Sequence, residues 1–316
     1  MLIKSADDKS KRLSLLEDLQ NSPVLDAWQK NKLREELLRL RKGIQGEKEA
    51  AFYLNSYFKG GENHALLHDL RVVVDGDVAQ IDHLIINRTG HLFLLETKNY
   101  AANVEVNAHG EFTAVYDEGR YGIPSPLEQS LRHERILSKL METLGIVGRT
   151  DKKLDFHHVV MLHPKAIIQR PDPKVLDTSY LIKADQFPSW HKKFADNIGI
   201  GAVLKAAVNM RSQETVKEWG EKLKRQHRAP DLLDLPSYLQ PKPGLVTAAQ
   251  APKPVAPASS TVVAGAATPD ATLAKKLICA HCREKITYPE GKFCWNNAKR
   301  FGGLQYCREH QGLFVS

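Results

Sequence analysis

The sequence predicts a mixed α/β domain, then a proline-rich linker, then a small metal-stapled module. Three observations carry that prediction. Leucines recur at helical spacing through the first 60 residues, and the period changes near residue 65 to strand-like alternation punctuated by Asp75-Gly76 and Thr89-Gly90. Eight of the sixteen prolines fall in residues 230–269. All four cysteines fall in the last 38 residues.

In chain order, Leu13, Leu16 and Leu19, then Leu25, Trp28, Leu33, Leu37 and Leu40, predict two helices. Ser22-Pro23 is the expected start of the second, because proline is pre-set for a first helical position. Gly43 and Gly46 are expected to loosen the chain before a third helical segment, EKEAAFYLNSYF. VVVDGDVAQIDHLIINRTGHLFLLETKNY reads as strand, turn, strand, turn, strand. An extended pair follows across 103–116, then a helix opening at Pro126 and ending near Gly145. FHHVVMLHP and SYLIKA are further strand candidates, and helices are expected near 185–196 and 200–227. This order gives a mixed sheet with flanking helices, not a repeated βαβ array. Residues 230–272 cannot bury enough apolar surface to offset their ordering entropy and read as a semi-stiff linker.

Composition narrows the function classes. The 316 residues are 42% apolar and 26% charged, which suits a globular chain. No apolar run approaches the ~18 residues of a membrane span, and the first residues, MLIKSADDKSKRLSLLEDL, lack the apolar core of a secretion signal. A cytoplasmic chain without membrane partners is therefore expected. The net charge of +8 is uneven, since residues 273–316 carry eight basic and three acidic residues. A basic end on a near-neutral body points to a polyanion, nucleic acid above all.

Two clusters carry chemistry. Glu96 and Lys98 are two apart on one strand and share a face. Asp82 is nearly as far as Glu96 from the Thr89-Gly90 turn, so the hairpin sets two carboxylates side by side. They repel unless a cation or a proton lies between them. Magnesium or manganese meets that need through one or two carboxylates plus substrate phosphate, with Lys98 beside it to orient water or stabilise developing charge. The alternative is a strand-ending aspartate and a surface Glu–Lys pair.

The order GEKEAA, QIDHLII, LLETKNY, PLEQSLRH resembles the nuclease-related domain family (NERD), a branch of the restriction-endonuclease-like PD-(D/E)xK superfamily, over about residues 40–165. The resemblance implies a restriction-endonuclease-like mixed sheet and a Mg2+- or Mn2+-dependent nuclease acting on DNA. By position, Asp82 and Glu96 match the metal ligands, Lys98 the catalytic lysine, Glu47 the helical acid that completes or supports the metal shell, and Gln129 the glutamine facing the same site. Glu47 could instead be a solvated helix residue, and Gln129 a cap or exposed position. His83 and His133 read as structural partners. Ile81, not proline, precedes Asp82, and the preceding turn carries Asp75 and Asp77, so the leading PD is not literal.

At the C-terminus, Cys279-x2-Cys282 and Cys307-x2-His310 form two knuckle-type pairs separated by 24 residues, a tetrahedral zinc pattern. Zinc would supply folding free energy that so short a segment lacks. Cys294 is expected to pack in a strand between the knuckles, with exchange for His310 as an alternative; His281 is the weaker substitute, and unligated thiols remain open. The spacing resembles zinc-ribbon tails read as nucleic-acid-binding, and Tyr288, Phe293, Trp295, Phe301 and Tyr306 permit base stacking where they are not core. The expected organisation is a helical segment over 1–40, a nuclease-like core over 41–165, its α/β and helical completion over 166–229, the linker over 230–272 and the zinc module over 273–316. The competing function is a non-catalytic nucleic-acid or protein interaction module that retains the fold. A protein partner in a DNA-processing assembly is compatible with either.

Overall fold

The computed structural model describes the chain except residues 101, 150–152, 198, 240–276, 283, 302–303 and 313–316, and of 200, 202, 298 and 299 the backbone only. Two compact units divide it, Met1–Ala249 and Gln250–Ser316. Most of the expected linker, 240–272, lies outside the described residues.

In the first unit, strands β1 (Leu2–Lys4), β2 (His64–Val74), β3 (Asp77–Asn87), β4 (His91–Lys98), β8 (Asp155–Leu162) and β10 (Leu181–Lys183) form one mixed sheet in the order β1-β2-β3-β4-β8-β10. The meander β2-β3-β4 is antiparallel, and β1, β8 and β10 join in parallel. Asp75 and Gly76 both take positive φ, as a two-residue hairpin turn requires. A smaller sheet, β7 (Gly119–Ile123), β6 (Phe112–Tyr116), β5 (Asn103–Val106) and β9 (Ile168–Gln169), stands beside it. The alternation predicts β5 and β6 but misses β7, whose GRYGI carries almost no apolar pattern, and the two-residue β9.

Helices cover both faces of the large sheet. On one, Leu84, Ile86, Leu92 and Leu94 pack with Leu137 and Met141 of α3 (Pro126–Thr143) and Val216, Trp219 and Leu223 of α6 (Gln213–Arg225). On the other, Ile85, Phe93 and Leu95 pack with Ala50 and Leu54 of α2 (Ala27–Tyr57) and Phe187 of α4 (Phe187–Asp196). The helix expected over 200–227 is two, α5 (Ile200–Asn209) and α6, the latter capped by Ser212.

Four expectations for the first and last parts of this unit are corrected. Residues 2–4 are a strand, because Ile3 is buried against Gly220 of α6, where a Cβ would stand 2.9 Å from Ile3. The second helix starts at Ala27 rather than Pro23, because Asp26 and Gln29 form a reciprocal capping box. It then runs 31 residues through Gly43 and Gly46 without a break. A Cβ at Gly46 would lie 2.5 Å from Asn99 Cβ, so that glycine serves close packing of α2 on the end of β4. Finally, residues 230–239 are a strap: Leu239, Leu235 and Tyr238 pack on α1 (Ser10–Asn21) and α2, and Arg12 donates to the carbonyls of Leu232 and Asp234 at 2.6 and 3.0 Å.

The second unit is small. Cys279, Ile286, Cys294, Phe301 and Tyr306 make its core. A bridge between Ile278 and Lys285 shapes the first knuckle. The strand expected at 292–295 is instead part of α7 (Tyr288–Asn296), opened by a Thr287–Glu290 capping box and followed by α8 (Ala298–Phe301) and α9 (Arg308–Gln311). Among the described residues, no helix is long and apolar enough to cross a membrane.

Candidate active site and metal centre

The acid–lysine cluster forms where β3 and β4 meet α2 and α3. β3 and β4 pair through His83 and Leu95, so one step further along the ladder Asp82 faces Glu96. The Asp82 carboxylate accepts from the backbone N–H of Thr97 at 2.7 Å. Strand alternation points Glu96 and Lys98 to the same face, that of Leu92 and Leu94, and there Lys98 Nζ lies 2.7 Å from Glu96 Oε1. Gln129, in the first turn and a half of α3, donates to Glu96 Oε1 and accepts from Lys98 Nζ at 3.1 Å. Ser125 as N-cap and Pro126 at the first position fix where that helix begins, and so which residue reaches β4. His133, one turn on, has Nδ1 3.8 Å from Glu96 Oε2.

A shift in strand alternation seats Asp82. In β3 the residues on the α3 and α6 face are Ala79, Ile81, Leu84 and Ile86, and in β2 they are Leu67, Leu70 and Val72. Both strands therefore change parity at the same level. There Asp69 adopts φ 53°, a left-handed backbone that aspartate tolerates better than most residues. His68 and His83 fill the level as a buried pair, Nδ1 to Nδ1 2.7 Å, held at the other ends by Asn55 and the Thr97 hydroxyl. Burial keeps both imidazoles neutral, well below their ordinary pKa. His83 is a structural partner here, not a group facing the cavity.

Asp82, Glu96, Lys98, Gln129, His133 and Glu47 line one cavity of about 590 Å3. Burial raises the Asp82 carboxyl well above the usual carboxylate range, with Glu96 and Glu47 adding repulsion. Burial also raises Glu96, against the pull of Lys98. Lys98 is itself raised, because Glu96 and Asp82 outweigh the burial that opposes its charge. His133 is held down to about 4 by burial, with Arg132 and Lys98 repelling its proton. Two strand carboxylates that resist being charged together, open to a cavity and backed by an ammonium, suit a hard divalent cation with oxygen ligands.

Glu47 reaches the cavity from α2 but is held by a residue outside every sequence motif. Lys9 Nζ lies 2.6 Å from its Oε2 and 3.4 Å from Asp69 Oδ2. Nothing local in the sequence marks Lys9. Asp69 had a signal, an acid interrupting the apolar strand LLHDLRVVV just as Asp82 interrupts QIDHLII.

In the second unit, the ligand atoms of Cys279, Cys282, Cys307 and His310 all lie within 4.8 Å of one another. Cys282 and Cys307 sulfurs are 4.0 Å apart, close to the ~3.8 Å edge of a tetrahedron with Zn–S bonds of about 2.3 Å. This Cys3His set could hold zinc. Burial alone would raise the Cys279 thiol, but backbone N–H groups of Cys282, Cys307 and His281 outweigh it and bring it down to about 6. Cys294 stands apart, accepting from Tyr306 N–H at 3.3 Å in the core.

No curated protein and no solved structure matches the chain. The family model described as nuclease-related domain, NERD, matches residues 42–163, the stretch that supplies Glu47, Asp82, Glu96, Lys98 and Gln129. Over those residues the chain is similar to the nuclease-related domain family.

Proposed function

We propose that the chain is a Mg2+- or Mn2+-dependent nuclease that hydrolyses phosphodiester bonds in DNA, with the zinc module as a second, tethered contact to nucleic acid. The observation that carries the reading is the triangle of Glu96, Lys98 and Gln129 beside Asp82 in one cavity. Degenerate binding modules have no physical reason to keep carboxylates that destabilise one another.

In this reading Asp82 and Glu96 hold the divalent ion, which when bound polarises the phosphoryl oxygen and neutralises charge in the transition state. The Lys98 ammonium faces the same space, where it orients the attacking water and meets charge developing on phosphate. Gln129 fixes Lys98 and Glu96 relative to each other, and Glu47 supports the metal shell from α2. Thr97 N–H holds the Asp82 carboxylate in place at 2.7 Å, where it would be available to a divalent ion. His133, neutral at working pH, adds no competing positive charge.

For the second unit, Phe301 and Tyr306 are buried in the core, whereas Tyr288, Phe293 and Trp295 are exposed on or beside one helix, with Lys292 over the Tyr288 ring. That supports base stacking with phosphate contact. A titration of Mg2+ or Mn2+ with labelled duplex and single-stranded DNA, comparing wild type with Glu96→Ala, tests the reading. Metal-dependent cleavage lost in the variant supports it. DNA binding without cleavage at any metal concentration would leave the non-catalytic module.

A further inference from the structure

Lys9 lies outside the matched segment, at the N-terminal boundary of α1, yet its ammonium is shared between two acids, Glu47 at 2.6 Å and Asp69 at 3.4 Å. It is not a loose surface lysine, for only 21% of its side chain is exposed. The segment that delivers it is fixed at several points. β1 adds to the edge of the sheet, Lys4 Nζ binds Asp7 at 2.7 Å and the His68 carbonyl at 3.2 Å, and His227 binds the other Asp7 oxygen at 2.8 Å.

Asp69 is equally determined. It lies at the level of Asp82, between the paired rungs His68–His83 and Leu70–Ile81, with a left-handed backbone, is buried, and accepts from Asp7 N–H and Gln80 at 3.3 and 3.1 Å. Glu47 and Gln80 line both the acid–lysine cavity and the neighbouring cavity of about 770 Å3 that Lys9 enters. Lys9 therefore approaches Glu47 from one side while Asp82 and Glu96 face it across the other cavity.

Charge balance gives this arrangement a consequence. Counting the buried and half-buried acids and lysines, and leaving out the exposed Arg39 and Lys42 at the cavity's rim, Glu47, Asp69, Asp82 and Glu96 against Lys9 and Lys98 leave two formal negative charges, which one divalent ion neutralises. A cation between two carboxylates is what a second metal would be, and the Lys9 ammonium is already there. We propose that Lys9 fills a cation position between Glu47 and Asp69, so that the site takes one divalent metal ion and not two. The inference rests on the reading that Asp82 and Glu96 hold a divalent ion. Lys9 acts through Glu47 and is a positioning residue.

Mn2+ binding to the full chain, preloaded with zinc so that the soft Cys3His ligands are occupied, tests it by equilibrium dialysis and the electron paramagnetic resonance of free Mn2+. Wild type is expected to bind one Mn2+ that Glu96→Ala removes. Lys9→Met, which keeps the bulk and deletes the charge, is expected to bind two, and Asp69→Asn in that background to return the count to one. Lys9→Arg, which retains the cation and folds wherever a bulky basic group is tolerated, should stay at one. Two ions in wild type or in Lys9→Arg, or one in folded Lys9→Met, would overturn this inference alone. No Mn2+ in any of these proteins would overturn it together with the metal-dependent reading.

Discussion

Glu96 and Lys98 stand two residues apart on β4 and meet at 2.7 Å, and Gln129 of α3 is hydrogen-bonded to both. Three side chains from two elements thereby fix one another beside Asp82. Partners of this sort hold a reactive group within the small tolerance that catalysis requires.

Gln129→Leu keeps the helix and deletes both hydrogen bonds. Metal-dependent cleavage is expected to fall about 10- to 100-fold, the usual cost of losing a residue that orients ligands. Zinc content, measured on the same sample, should be unchanged. Cleavage at the wild-type rate would remove Gln129 from the site.

Asp82→Asn should abolish cleavage and yet stabilise the metal-free protein by about 1 kcal/mol. Burial first, then Glu96 and Glu47, raise the Asp82 carboxyl, so the folded state binds its proton more tightly than the unfolded state does. Stability from such a group is full below its unfolded pKa and declines as pH rises toward the folded one. Metal-free Tm of wild type should therefore fall, relative to Asp82→Asn, on going from pH 4 upward through that range. Mg2+ or Mn2+ should recover the loss in wild type and not in the variant. Thermal melts with and without metal across pH decide it.

Gly46→Ala is expected to destabilise the first unit by about 1–3 kcal/mol, because its Cβ would lie 2.5 Å from Asn99 Cβ and neither backbone can yield easily. Asn99 follows Lys98 and donates to the Lys42 carbonyl at 2.8 Å, so cleavage should drop alongside stability. Gly43→Ala, with open space at its Cβ, is the control and should be neutral or mildly stabilising.

Elemental analysis should find one zinc per chain, lost in Cys279→Ser and retained in Cys294→Ala. Cys294 is buried in the module's core and is not one of the four clustered ligands, so its truncation should cost about 1–3 kcal/mol through packing alone. Loss of zinc in Cys294→Ala with the module still folded would contradict this assignment.

Deleting residues 273–316 should weaken DNA binding and flatten its salt dependence, the log–log slope falling by about 0.9 for each phosphate that the module neutralises in the full chain. Hydrolysis at saturating DNA should persist, since Asp82, Glu96 and Lys98 belong to the other unit. Lys98→Ala should do the reverse, ending hydrolysis with the salt slope nearly intact. If tail deletion ended turnover and left binding unaltered, the module would be part of the catalytic architecture.

The sequence by itself determined what local chemistry determines. Asp75-Gly76 demanded a two-residue turn, Pro126 after Ser125 opened a helix, and a hairpin about Thr89-Gly90 set Asp82 opposite Glu96 because strand pairing counts residues from its turn. Two knuckle spacings named the Cys3His set for the same reason, since each pair closes within its own turn. Tertiary structure decided the rest. Gly43 and Gly46 read as breaks, yet α2 runs through both, and only Gly46 is needed as bare backbone, against Asn99. Leu2–Lys4 became a strand only because β2 offered a free edge, and residues 230–239 became a strap only because α1 and α2 left apolar surface for Tyr238 and Leu239. Lys9 reached Glu47 across 38 residues and Asp69 turned left-handed beside Asp82. No periodicity records such pairings, because they are set by how layers stack and not by how neighbours along the chain are spaced.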